Sequence, residues 1–205
     1  MLGGDVVKYF DYSQVEMEYL KNADPILGRE IDRIGIVKRE IEPDIFVALI
    51  SSIVSQQIST KAATTVYNRL LELSGAITDK KIGRLDIEDI QKCGMTMRKA
   101  EYIRGIAIAS LDGSIDLSGL YKLTDEEVIR ELSKLKGVGE WTAEMLLIHS
   151  LQRPNVLSYK DLGIRRGMMS LYGLEDLSKS DFELYRERYH PYNTVASIYL
   201  WELSK

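Results

Sequence analysis

Residues 135–161, LKGVGEWTAEMLLIHSLQRPNVLSYKD, decide how the rest of the chain is read. They give the end of one helix, a tight glycine turn and a second helix. Gly137 and Gly139 allow backbone angles that side chains resist, and they leave room for something large to lie against the turn. Val138, between them, plugs the turn into the core. The second helix, expected over 140–150, opens with N–H groups that its own backbone does not use. Together with the helix dipole these suit an anion such as phosphate. Gln152-Arg153-Pro154-Asn155 breaks that helix. Asp161 follows at the head of another helix, where a carboxylate can cap the first turn for about 1 kcal/mol, do chemistry, or both.

The chain has 205 residues, 45% of them apolar, enough for one compact domain or two small lobes with a real core. No apolar run is long enough to span a bilayer, and the opening MLGGDVVKYFDYSQ lacks the basic-then-apolar pattern of a signal peptide. Cys93 is the single cysteine, and His149 and His190 are the only histidines. That excludes an internal disulfide and argues against a cysteine- or histidine-ligated cluster. A cytoplasmic protein without a structural metal is expected. The net charge of −4, from 27 basic and 31 acidic residues, argues against coating nucleic acid by charge alone. It is compatible with holding a few phosphates through backbone amides and a local basic patch.

Taken in order, residues 1–10 read as a weakly ordered lead, and 12–21 carry apolar residues at helical spacing. Asp24-Pro25 reads as an N-cap and first helical residue, and Gly35 as the stop. Pro43 opens a helix whose broad apolar face is Ile45, Phe46, Leu49, Ile50, Ile53 and Val54. It runs into Ser55-Gln56-Gln57-Ile58-Ser59. The glutamines are either a polar helix end leading to a Ser59 cap, or side chains that reach base edges or a vacated base stack. Further helices are expected over 60–73, 87–92 (closed by Cys93-Gly94, with Cys93 a small core residue) and 98–110. Arg98, Lys99 and Arg104 form a solvated face, with a phosphate contact as the alternative for Lys99. Thr124-Asp125-Glu126-Glu127 is a capping box opening the helix that ends at Lys136-Gly137. Helices from Asp161 to Gly173, over 180–189 and from Pro191 complete an all-α fold of about ten short helices with no strand and no repeat.

These motifs resemble the helix–hairpin–helix (HhH-GPD) DNA glycosylases, and within them the 3-methyladenine DNA glycosylase II, alkylation-repair branch. The matching pieces are DPILGREIDRIG at 24–35, FVALISSIVSQQIS at 46–59, GMTMRKAEYIRGIA at 94–107, LKGVGEWTAEMLLI at 135–148, KDLGIRRG at 160–167 and PYNTVASIYLW at 191–201, in the family's order. The resemblance implies a single glycosylase module over 1–205, without an N-terminal β domain. One lobe would span 45–153, with the helix–hairpin–helix at 126–150. The other would join 1–44 to 154–205, with a cleft between the two. Lys136, Gly137, Val138, Gly139 and Thr142 would form the hairpin that grips the DNA backbone, with a monovalent cation on carbonyls 135–140 and no organic cofactor.

By the same resemblance Asp161 is the catalytic acid, stabilising an oxocarbenium-like sugar or activating water. Glycosidases commonly use two carboxylates. An alkylated base is already cationic and leaves neutral, so one suffices. Trp141, Trp201, Met145 and Leu162 would line the base pocket. A flat ring suits a flipped, cationic base; the alternatives are a core anchor for the hairpin at Trp141, helix packing at Trp201 and a core position at Met145. Related lyases carry a lysine at the position of Trp141, whose amine attacks the sugar. Its absence implies a monofunctional enzyme, a reading that Lys160, next to Asp161, would undermine if it supplied the amine.

Gln57, with Gln56, falls where the family places the residue that fills the gap left by the flipped base. Lys160, Arg165, Lys99 and Ser59 are candidate phosphate contacts, and Asn193 and Leu162 replace an arginine and a tyrosine of a relative. The expected partner is duplex DNA with a damaged base, met by a monomer at the nucleoid or in the nucleus, with downstream abasic-site repair enzymes. The competing readings are a hairpin protein that binds DNA without chemistry, and a glycosylase/lyase for other lesions.

Overall fold

The computed structural model describes residues 7–205, which form two compact units. One comprises Glu42–Leu146; the other joins Leu147–Lys205 to the chain up to Ile41. The first corresponds to the lobe expected over 45–153, and the second to the one expected over 1–44 and 154–205. Among the described residues are twelve α-helices, one short 3-10 helix and one two-stranded sheet. No helix among them is long and apolar enough to cross a membrane, and no group of three or more His, Cys, Asp or Glu residues could hold a metal ion.

In the unit Glu42–Leu146 the helices are α3 (Ile45–Ser55), α4 (Thr60–Ser74), α5 (Asp79–Ile82), α6 (Ile87–Lys92), α7 (Met97–Leu111), α8 (Asp125–Leu132) and the first part of α9 (Glu140–His149). α3 is central because its apolar residues leave one face wholly apolar. Ile45, Phe46, Leu49, Ile50, Ile53 and Val54 are all buried, each contributing about 1.5–3 kcal/mol over exposure. Pro43 does not open this helix. Asp44 does, accepting the Val47 N–H at 3.1 Å, because a cap needs an acceptor side chain and proline has none. The Thr124 capping box closes on Glu127, and α8 stops at Leu132, before the glycine turn.

The other unit holds β1 (Lys8–Tyr9), α1 (Gln14–Ala23), α2 (Pro25–Ile34), β2 (Glu40–Ile41), the end of α9, α10 (Leu162–Tyr172), α11 (Lys179–Tyr189) and α12 (Asn193–Leu203). Of the lead expected at 1–10, residues 1–6 lie outside the described residues. Lys8 and Tyr9 pair antiparallel with Ile41 and Glu40, and Phe10 is buried. The expectation of no strand is corrected by this pair. Asp24 caps α2 through the N–H groups of Ile26 and Leu27 at 2.9 and 3.0 Å. Its other oxygen meets Tyr172 Oη and Arg188, each at 2.6 Å, so this buried charge is paired. Pro191 precedes α12 rather than starting it. α10 and α12 pack so closely that a Cβ at Gly167 would sit 1.9 Å from the Leu200 carbonyl oxygen.

Candidate active site

Asp161 is the N-cap of α10, with extended backbone angles (φ −80°, ψ 114°) that turn its side chain back over the first turn. Its Oδ1 accepts the Ile164 N–H at 2.8 Å and the Trp201 Nε1–H at 3.0 Å. The carboxylate is only 8% exposed. Gly163 makes the second bond feasible: a Cβ there would lie 2.9 Å from Trp201 Cδ1 and 3.1 Å from Asp161 Oδ1. Trp201 is itself held from two more sides. His149 stacks on it at 5.6 Å between centroids, and the Arg39 guanidinium lies 4.3 Å from its ring centre. Burial, with the Arg39 charge beside it, pushes the His149 pKa down to about 4, so the stacking ring is neutral at physiological pH. Burial lowers the Arg39 pKa, opposed by the charges of Glu202 and Asp161. A buried carboxylate fixed by two N–H donors is preorganised to stabilise developing positive charge or to take a proton from water.

In the other unit, the hairpin joins α8 to α9. Gly137 has φ +89°, and a Cβ there would lie 2.3 Å from Tyr102 Cδ2 on α7. Both the turn and the approach of Tyr102 therefore require glycine. Nothing lies within 4 Å of a Cβ built on Gly139, so that side of the turn is open to a ligand. Val138 plugs the turn into the core, Thr142 is buried and Lys136 is exposed. The carbonyls of Leu135, Gly137 and Gly139 each accept one hydrogen bond, from Val138 N–H, the Gln56 side chain and Ala143 N–H. Each carbonyl oxygen has a second lone pair, so a monovalent cation fits their chemistry. Trp141, in the first turn of α9, is 40% exposed, and Met145, one turn on, is half-buried.

The α3–α4 turn carries the glutamines. Gln57 is exposed and has φ +58°, rare for a residue with a side chain. Gln56 Nε2 donates to the Gly137 carbonyl at 3.0 Å. Ser59 caps α4, accepting the Ala62 N–H at 3.3 Å. The Lys99 ammonium donates to the carbonyls of Val54, at 2.8 Å, and Gln56. Lys160 and Leu162, flanking Asp161, are exposed. The Arg165 guanidinium lies 4.9 Å from the Tyr159 ring centre. Asn193 is buried, its amide donating to Asn155 Oδ1 at 2.6 Å.

The structure thus brings Asp161 together with Trp201 in one unit, and Gln56 and Lys99 with the hairpin or its neighbouring turn in the other. Sequence reasoning missed Arg39, His149, Gly163 and Tyr102. The D-x-G spacing of Asp161 and Gly163 was the one local signal. The partners of Arg39 and Tyr102 are too distant in sequence to leave one.

Residues 50–191 match the HhH-GPD superfamily base excision DNA repair proteins. The chain belongs to this superfamily. It is 37% identical over 162 residues to DNA-3-methyladenine glycosylase 1 of Schizosaccharomyces pombe, covering 77% of this chain and 71% of that one. Among solved structures, this HhH-GPD chain is similar to the DNA-3-methyladenine glycosidase of Bacillus halodurans. Their TM-score is 0.86 and their identity 35%, over 96% of this chain and 92% of that chain. It is also similar to the S. pombe 3-methyladenine DNA glycosylase in complex with abasic DNA, with TM-score 0.80 and 33% identity over 92% and 95% of the two chains.

Proposed function

We propose that this HhH-GPD protein is a monofunctional DNA glycosylase that hydrolyses the N-glycosidic bond of alkylated purines, of the 3-methyladenine class, in duplex DNA. The observation that carries the reaction is the buried Asp161 carboxylate, fixed by Ile164 N–H and the Trp201 indole. The substrate class is supported by the relatives named above. The hairpin around Gly137 grips the phosphate backbone, and Gln57 fills the gap left by the flipped base. Flipping costs a few kcal/mol, least at damaged pairs.

An alkylated purine carries positive charge and departs as a neutral molecule, taking the bonding electrons with it. The positive charge passes to the sugar. Asp161 stabilises that charge, and water then adds to the anomeric carbon and releases a proton. The product is an abasic site, handed to downstream repair enzymes. Trp141 offers no amine, so no Schiff base forms at that position. The enzyme works as a monomer, on DNA in the nucleoid or the nucleus.

The test is release of free base from duplex DNA methylated to give 3-methyladenine, followed by borohydride treatment. Release without a covalent protein–DNA adduct is the expected result. A trapped adduct would show a lyase, with Lys160 the first residue to replace. Binding of DNA without release from any alkylated or deaminated purine would show a binding module.

A further inference from the structure

Gln56 and Gln57 are the central residues of the turn between α3 and α4. Gln56 has φ −54° and ψ 131°, Gln57 follows at φ +58°, and the Ser55 carbonyl accepts the Ile58 N–H at 3.5 Å. This is the type II pattern, in which the central peptide is flipped relative to type I and the second central residue favours glycine. A glutamine there costs about 1–2 kcal/mol, so something must hold the flip. The carbonyl of the flipped peptide is that of Gln56, and the Lys99 ammonium donates to it and to Val54. That also places a cation at the carbonyl end of α3. Burial lowers the Lys99 pKa, as expected for an ammonium withdrawn from water.

The Gln56 side chain in turn donates to the Gly137 carbonyl of the hairpin. Tyr102, one turn after Lys99 on α7, fills the space a Cβ at Gly137 would need. One helix therefore braces both loops.

We propose that Lys99 and Gln56 are positioning residues: they lock the α3–α4 turn in its flipped form and register it against the hairpin, so that Gln57 is presented at a fixed offset from the phosphate grip. This rests on the reading of Gln57 as the gap-filling residue. Lys99 then contributes nothing to phosphate binding. Without it the central peptide relaxes toward type I, Gln57 returns to negative φ, and its side chain swings away.

Lys99→Met, Gln56→Ala and Gln57→Ala are compared with wild type in two assays. One is single-turnover release of 3-methyladenine. The other is binding to a duplex with a tetrahydrofuran abasic-site analogue opposite 2-aminopurine, whose fluorescence reports insertion beside the orphan base. Lys99→Met should slow release about tenfold and suppress the fluorescence change as Gln57→Ala does. The salt dependence of binding should stay unchanged, and Lys99→Met should cause no further loss in the Gln57→Ala background.

Weaker binding with a salt slope lower by about 1, at an unchanged saturated rate, would make Lys99 a phosphate contact and overturn the proposal. Additive losses would overturn it as well. If Lys99→Met fails to fold, Gln56→Ala carries the same test. Lys99-dependent fluorescence with no base release by wild type would support the clamp and refute the enzymatic reading. Base release with fully active Gln57→Ala would refute the clamp alone.

Discussion

Replacing Trp201 with phenylalanine separates two jobs that this side chain can do. Phenylalanine keeps a flat ring but lacks the second ring of the indole, so packing weakens by about 1–2 kcal/mol. It has no N–H, so the 3.0 Å bond to Asp161 Oδ1 is lost, while the Ile164 N–H still caps the carboxylate at 2.8 Å. A hydrogen bond to a charged group contributes about 1.5–3 kcal/mol. If that bond holds the carboxylate where positive charge develops, its loss falls on the chemical step. At 1.36 kcal/mol per factor of ten, release slows by about tenfold to a hundredfold. The assay is single-turnover release of 3-methyladenine at saturating enzyme, beside a urea titration of each protein. The expected result is a slower saturated rate with DNA affinity close to wild type, beside an unfolding midpoint lowered by the lost bond and the smaller ring. A saturated rate equal to wild type would refute the assignment of the indole N–H as the group that orients Asp161. A defect confined to affinity would assign Trp201 to base stacking instead.

Because His149 is held near pKa 4 against 6.5 in the unfolded chain, the unfolded state binds the proton first as pH falls, and stability is lost through that window. Between pH 7 and pH 5 wild type should lose about 2 kcal/mol that His149→Gln does not lose, read from paired urea titrations; equal losses would contradict it. Gly167→Ala drives a methyl into the Leu200 carbonyl oxygen, 1.9 Å away, and should destabilise by about 3 kcal/mol or more; an unchanged urea midpoint would show that α10 and α12 can part freely.

Some helix starts were legible from a side-chain acceptor: Ser59, Asp24, Thr124 and Asp161 all cap as read, whereas Asp44, Thr96 and Ser178 cap helices whose starts were read one or two residues off. Prolines misled at 43 and 191, because proline signals a nearby helix start without supplying the capping oxygen. The strands Lys8–Tyr9 and Glu40–Ile41 are too short to show a period of two, and the four-residue α5 too short to show one of 3.6. The site was legible as residue types in motifs. Its supports were not, since they join positions far apart in sequence: Trp201 reaches Asp161 from 40 residues away and Lys99 reaches Val54 from 45. Gln57 read as either a polar helix end or a wedge. Only the backbone, with φ +58°, shows that a side chain is kept where glycine would be easier.

The measurement that bears most directly on the central claim compares wild type with Asp161→Asn in single-turnover release of 3-methyladenine. Asparagine keeps an Oδ1 that can accept from both Ile164 and Trp201, so the cap and the fold should survive while the negative charge is lost and the second oxygen becomes an amide nitrogen. Release should fall at least about a hundredfold with DNA affinity retained. Release by Asp161→Asn at the wild-type rate would contradict the account.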